Sequence, residues 1–387
     1  MHERLYFDWN ASAPLRPEAR AAMLAALDAT GNPSSVHGEG RAAHRLMEEA
    51  REQVAMLVGA EALNVAFTSG GTEANMLALS PLIEDGTRRY VKLLLSAAEH
   101  SSVLAGGRFA RADIETLPVN RNGVIELAAL ERRLSACPGP VLVSVMLANN
   151  ETGVIQPIPQ VASIVHAAGG ILHIDAVQAP GRIQCNINDL GADLLTLSGH
   201  KIGGPKGAGA LIRRNATVPF PAPLITGGGQ ERRLRAGTEN VPGIVGFGAA
   251  AAATGREFAA ERTHLVALRM RLEAGLKACA PELVIFGADV ERLPNTTLFA
   301  VPGMKAETAV IAFDLEGVAV SSGAACSSGK VGPSHVLAAM GVPSGLARGA
   351  VRVSFGRITR ESEVDRLIEA WIRVAERLFR GKSVVAA

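Results

Sequence analysis

Four groups of side chains have the types and spacing for chemistry. The first is Ser198-Gly199-His200-Lys201. The apolar run 194–197 has the length and bounds of a buried strand, so Lys201 is delivered to a strand end, where Gly203 and Gly204 permit close approach. Desolvation there would lower the amine's pKa and make it a nucleophile or a base, and a surface lysine opening a loop is the plain alternative. The second is Ser69-Gly70-Gly71-Thr72-Glu73-Ala74-Asn75, which follows a strand-like 65–68 and opens a helix at Glu73. Its glycines, unpaired helical N–H groups and the Thr72 hydroxyl make either a phosphate cup or an ordinary capped helix start. The third is Asp175, at the end of the apolar run 170–175. A buried carboxylate needs a partner, either a protonated ring nitrogen or a structural salt bridge. His173 stands close by, but no third ligand lies at a helpful spacing, so no metal is expected. The fourth is Cys326, in Ser321-Ser322-Gly323-Ala324-Ala325-Cys326-Ser327-Ser328-Gly329-Lys330. Small residues predict an accessible loop and Lys330 adds positive charge, the conditions for a reactive thiolate.

The elements that must position these groups follow from hydrophobic periodicity. Short apolar runs at 65–68, 91–95, 141–145, 170–175 and 194–197 alternate with helical patterns, which implies a mainly parallel sheet covered by helices on both faces. In such sheets ligands sit beyond the carboxyl ends of the strands, where Thr72, His100, Asn150, Asp175, Ser198, His200 and Lys201 all fall. Before the sheet, an extended arm leads to a helix opened by Pro17 and to an amphipathic helix at 40–58, striped by Leu46, Ala50, Val54 and Leu57. After it, an Ala- and Gly-rich helix at 241–259 continues into an amphipathic one through Leu276. Strands are then expected at 283–286, 296–300, 318–320 and 351–354, with helices at 306–315, 334–340 and 361–378. The division expected is a large unit at 15–255 and a smaller α+β unit made of 1–14 and 256–387.

Composition narrows the function. The 387 residues suffice for two domains, and the net charge of +2 with 4% aromatic residues argues against a nucleic-acid surface. No apolar run reaches the roughly 18 residues of a membrane span and no signal-peptide pattern is seen, so a soluble cytoplasmic protein is expected. The four cysteines, Cys137, Cys185, Cys279 and Cys326, form no CxxC pair. Gly199 to Pro205 breaks the Walker pattern at the lysine, and Gly207-Ala208-Gly209 runs into a strand rather than a helix, which excludes a dinucleotide fingerprint.

Taken together, these stretches resemble the cysteine desulfurases of the NifS/IscS type, class-V members of the fold-type-I pyridoxal 5'-phosphate (PLP) enzymes. The resemblance runs from Phe7-Asp8 to about Gly356-Arg357. It is carried by Asn32-Pro33-Ser34-Ser35, Gly70-Gly71-Thr72-Glu73, Glu99-His100, Asn149-Asn150-Glu151-Thr152-Gly153, His173-Ile174-Asp175-Ala176-Val177-Gln178, Ser198-Gly199-His200-Lys201, Arg235-Ala236-Gly237-Thr238-Glu239-Asn240 and the Cys326 loop. It implies a large domain with a seven-stranded, mainly parallel sheet and a smaller α+β C-terminal domain. It further implies that Lys201 carries PLP, that Asp175 pairs with the ring nitrogen, that Gln178 bonds the ring hydroxyl and that His100 stacks on the ring. Gly71, Thr72, Ser198 and His200 would hold the phosphate, and Thr238 would reach the phosphate of a second subunit, implying a homodimer. Asn150 and Arg352 would bind the substrate carboxylate. Lys201, helped by His100, would move a proton while the Cys326 thiolate takes sulfur from L-cysteine, leaving alanine. The sulfur would pass to an acceptor protein such as an iron–sulfur scaffold. Two other readings remain at this level. A selenocysteine lyase or other class-V PLP enzyme such as an aminotransferase is separated by the Cys326 loop, of which a transaminase has no need, and a non-enzymatic phosphate-binding module would be colourless.

Overall fold

Residues 4–323 and 334–378 are described by the computed structural model. The strands are β1 (Leu5–Tyr6), β2 (Val65–Thr68), β3 (Lys92–Ser96), β4 (Ile114–Leu117), β5 (Val141–Met146), β6 (Ile171–Asp175), β7 (Leu194–Ser198), β8 (Gly209–Arg213), β9 (Val284–Ile285), β10 (Thr296–Ala300), β11 (Val318–Ala319), β12 (Ser321–Ser322) and β13 (Val351–Ser354). Strands β2 to β8 form a seven-stranded sheet in the order β2-β8-β7-β6-β5-β3-β4. Only β8 runs antiparallel to its neighbours. Every residue of β5 and β7 is buried, because helices cover both faces of a parallel sheet and remove any need for alternation. On β3, Leu94 joins one apolar core while Leu93 and Leu95 join another on the opposite face.

The helix Gly38–Leu57 confirms the expected amphipathic pattern with a small rotation. Its buried stripe is Ala43, Met47, Ala50 and Val54, and Leu46 and Leu57 flank it, half-buried. The two helices expected at 241–276 are one continuous helix, Val241–Cys279, of 39 residues, or about 58 Å at 1.5 Å per residue. Its first half packs Ile244, Phe247, Ala250 and Ala251 against the large sheet. Its second half gives Leu265, Leu268, Leu272 and Leu276 to a separate core. That second core also takes Leu5, Phe7 and Trp9 from the N-terminal arm. It closes around Trp371, edge-on to Phe299 at 5.3 Å and stacked on Phe313 at 6.1 Å. The antiparallel sheet β12-β13-β10-β9 and the parallel pair β1-β11 complete this part.

Strand β2 is an edge of the large sheet, and an edge exposes unpaired backbone groups. A buried ion pair covers this one. Both nitrogens of the Arg51 fork reach Glu231 at 2.7 Å. Glu231 also accepts from the Phe67 N–H at 2.8 Å, while Arg51 and Arg232 donate to the Val65 carbonyl at 3.0 and 2.5 Å. Glu231, Arg232 and Arg233 have φ of 46°, 56° and 71°, a left-handed run that costs each residue about 1–3 kcal/mol and persists only where contacts over-determine it.

A second clasp joins the two cores. Ser334, the first described residue after 323, donates its hydroxyl to Glu151 on the turn that follows β5. His335 donates to the Glu99 carbonyl at 2.8 Å, and the N–H of Gly323 reaches the Ala350 carbonyl at 2.8 Å. The residues bracketing the Cys326 segment are thus tied to both cores. Burial pushes the Glu151 carboxyl up from 4.5 to about 7, against the opposing effects of Ser334 and Arg352.

Two outcomes follow. Glu231→Ala takes the bidentate partner from the buried Arg51 fork while Glu48 stays on its Nε at 3.0 Å, and the loss of one member of a buried pair costs about 3–5 kcal/mol, so the thermal unfolding midpoint falls sharply. Glu151 holds its proton more tightly in the folded state than in the unfolded chain. Its contribution is therefore complete below pH 4.5 and is lost as pH rises through about 7. Glu151→Gln, which is uncharged throughout, flattens the fall in unfolding midpoint across that window.

Candidate active site

The carboxyl ends of the central strands open into one cavity of about 330 Å³. From the end of β2, Gly71 and Thr72 enter with the helix Gly71–Ala78, and Asn75 follows one turn later. Gly70 has φ 155° and ψ 178°, a conformation that is essentially restricted to glycine. A Cβ on Gly71 would lie 2.9 Å from the Val177 side chain and 3.4 Å from Ser198, so glycine lets the helix N-terminus close on β7. Glu73 fixes that terminus by accepting from the Ser69 N–H at 2.9 Å and from Arg235 at 3.1 Å.

His100 comes from the loop after β3, Asn150 from the turn after β5, and Asp175 with Gln178 from the end of β6. Ser198, His200 and Lys201 come from the end of β7, and Arg352 from β13 in the second core. All ten of these residues, with Gly71 and Thr72 among them, line the same cavity. Two expected site residues stand apart. Thr238 is exposed and does not line it, and Cys326 lies outside the described residues.

Asp175 is 6% exposed. It accepts from Asn75 Nδ2 at 2.8 Å and from the Val177 N–H at 3.0 Å, both neutral donors. Glu99 lies behind it, fully buried, with one oxygen on the Met146 N–H and the other without a partner among the described residues. Burial, and then the charge of Asp175, push the Glu99 carboxyl well above its usual range, with the Met146 N–H opposing. His173 spends both ring nitrogens inside the sheet, on Ser144 at 2.8 Å and Thr196 at 2.9 Å. Burial takes it down to about 3, so it is a core histidine. No group of three metal-ligating side chains is found among the described residues.

Lys201 is half-buried, and its Nζ donates to the carbonyls of Asn10 at 2.6 Å and Ala11 at 2.9 Å. The arm is held there in turn. The Ala13 N–H bonds the His200 carbonyl at 2.9 Å and the Arg16 N–H bonds the Gly203 carbonyl at 2.8 Å. Gly203 has φ 82°, and a Cβ there would come within 2.7 Å of Arg16, so glycine lets the arm lie against this turn. Burial, and then Lys201 and Lys206, take His200 down to about 4, so it is a neutral imidazole. Arg352 is buried and already engaged, with Nη2 on Asp8 at 2.7 Å and Nη1 on the Asn150 carbonyl at 2.9 Å.

Sequence reasoning missed Asn10, Asn75, Ser102 and Asp8. Asn10 donates to the Asn150 carbonyl at 3.1 Å and to Thr296 at 2.9 Å, and its own carbonyl takes Gln178 at 3.0 Å. Nothing local marks these residues. The Asp8-Trp9-Asn10 arm reads only as extended chain, and its polar groups find partners far away in sequence.

The residues present fit a planar, cationic ring carrying a phosphate. A helix N-terminus with unpaired N–H groups suits the anion, beside the Thr72 and Ser198 hydroxyls and the neutral His200 ring. The buried carboxylate suits a protonated ring nitrogen, and the lysine amine suits a carbonyl carbon.

Comparison with known proteins agrees with this site. The class-V aminotransferase family model matches residues 5–367. A cysteine desulfurase of Cereibacter sphaeroides is 45% identical over 384 residues, covering 97% of each chain. The crystal structure of a NifS-like protein from Rickettsia africae superposes with a TM-score of 0.88 at 36% identity, covering 97% of this chain and 100% of that one. A structure described as SspA in complex with cysteine gives a TM-score of 0.77 at 30% identity, covering 91% and 98%. With a match that spans nearly its whole length, the chain belongs to the class-V aminotransferase family, among the cysteine desulfurases of the NifS/IscS type.

Proposed function

We propose that this chain converts L-cysteine to L-alanine with PLP held at Lys201, and that Cys326 receives the sulfur. One observation carries the reading: a single cavity unites a lysine amine, a buried carboxylate and a helix N-terminus flanked by hydroxyls. PLP, when bound, supplies an electron sink for the bond broken at the substrate.

The chain's own residues do the rest. Asp175 balances the charge of the ring nitrogen, Gln178 bonds the ring hydroxyl and His100 covers the ring face. Gly71, Thr72, Ser198 and His200 hold the phosphate. Arg352 and Asn150 take the substrate carboxylate, which must compete with Asp8 for the guanidinium. Lys201 moves the proton at the substrate α-carbon, with His100 assisting. The Cys326 thiolate attacks the substrate sulfur, forming a sulfur–sulfur bond. The carbon–sulfur bond breaks, its electron pair passes to the substrate side, and protonation there leaves alanine and a Cys326 persulfide.

In the same reading, residues 15–255 form the cofactor-binding unit, and 1–14 with 256–387 form the unit that brings Cys326. The protein works in the cytoplasm as a homodimer and hands its sulfur to an acceptor protein, an iron–sulfur scaffold being one such class. Support for the dimer comes from Thr238, exposed and outside its own cavity although its segment is anchored by Arg235 on Glu73. Among the described residues no helix is long and apolar enough to cross a membrane.

Replacing the thiol separates sulfur transfer from cofactor binding. Cys326→Ser retains PLP and its visible absorbance but releases no sulfide from cysteine and forms no persulfide, as read by sulfide assay and mass spectrometry. Undiminished sulfide release by that variant contradicts the assignment.

A further inference from the structure

One hydrogen-bonded chain in the cavity is unused by the account above. Asn75 Nδ2 donates to Asp175 Oδ2 at 2.8 Å and to Ser102 Oγ at 2.9 Å. Ser102 Oγ lies 2.8 Å from His100 Nδ1, and the Ser102 backbone N–H donates to the same nitrogen at 3.2 Å. Asn75 and Ser102 are 1% and 8% exposed, so water does not dilute these contacts.

The direction of each proton follows from the donors available. A carboxylate accepts only, so the Asn75 amide turns its nitrogen, not its oxygen, toward Asp175. The second hydrogen of that nitrogen points at Ser102, whose oxygen thereby accepts. The Ser102 hydroxyl hydrogen is then directed to His100 Nδ1. The Ser102 backbone N–H, which is always a donor, points at Nδ1 as well. A nitrogen that receives two donors carries a lone pair, so the proton of a neutral ring sits on Nε2. His100 is indeed held neutral: burial takes it below its usual value, Asp175 opposes, and Lys201 and His335 add to the lowering.

We infer that Asn75 and Ser102 are positioning residues that fix His100 as the neutral Nε2–H tautomer, so that His100 serves the reaction as a proton donor while Lys201 serves as the base. The role of His100 as donor rests on the functional reading given above, whereas its tautomer does not. The anchor of the chain is Asp175, so the carboxylate that faces the cofactor ring also sets which nitrogen of His100 carries a proton.

The test is heteronuclear NMR of the PLP-loaded enzyme with histidine ring nitrogens labelled, the His100 signals being identified by their loss in His100→Gln. The wild-type enzyme should show Nδ1 at the unprotonated position and Nε2 at the protonated one. Ser102→Ala removes the hydroxyl donor and leaves only the longer backbone N–H on Nδ1, so both resonances should move part of the way toward the other tautomer and kcat should fall by roughly tenfold, a fraction of what a positioned acid contributes, with KM unchanged. Ser102→Thr, which keeps the hydroxyl, should restore both. A wild-type ring protonated at Nδ1, or resonances unmoved in Ser102→Ala, overturns the inference. Wild-type enzyme that takes up PLP but releases no sulfide from cysteine overturns the functional reading instead, and the ring nitrogens still report the tautomer.

Discussion

A carboxylate buried at the end of a central strand is the constraint around which this molecule is arranged. Asp175 is nearly sealed from water and its hydrogen bonds come from neutral donors, a side-chain amide and a backbone N–H. Removing a charge from water costs several kcal/mol unless a partner repays it. The surroundings deepen the demand, since burial and then the charge of Asp175 push the Glu99 carboxyl behind it well above its usual range. A protonated ring nitrogen meets that demand, and the remaining cavity groups suit the rest of the same cofactor.

The fold supplies the geometry through two devices. The parallel sheet brings the ends of β2, β3, β5, β6 and β7 to one edge, so residues far apart in sequence share a cavity. The N-terminal arm then closes it from the second core: Phe7 and Trp9 are buried there, while the carbonyls of Asn10 and Ala11 hold Lys201 and Asp8 holds Arg352. The long helix Val241–Cys279 enters both cores and fixes their spacing. A shift of that helix or of the arm would displace the lysine and the arginine together.

Much of this was legible in the sequence because burial leaves a period. The strands Val65–Thr68, Thr296–Ala300 and Val351–Ser354, and the helices Pro17–Leu27, Ala306–Leu315 and Glu361–Leu378, stand where apolar patterning places them. Strand Ile114–Leu117 is a sheet edge, only partly buried, and gives no apolar run to read. The helices Leu127–Ser135 and Ile158–Ala167 were likewise found only in the structure. For the site, residues with strong chemistry at strand ends were legible, from Thr72 to Lys201. Residues that act by holding others were not. Asn75 and Ser102 look like ordinary polar positions on short helices, and the Asn10 carbonyl has no side-chain signal at all. Apart from His100, two positions before Ser102, their partners lie 27 to 191 positions away, a distance no local pattern spans.

The central claim is that this cavity holds PLP through Lys201 beside Asp175, and a visible absorbance spectrum of the purified protein titrated with PLP tests it most directly. The account predicts an absorbance band in the region of a lysine-bound PLP imine for the wild-type chain, absent in Lys201→Ala and shifted or weakened in Asp175→Asn. A wild-type protein that stays colourless after reconstitution, or a Lys201→Ala variant with the same band, would contradict it.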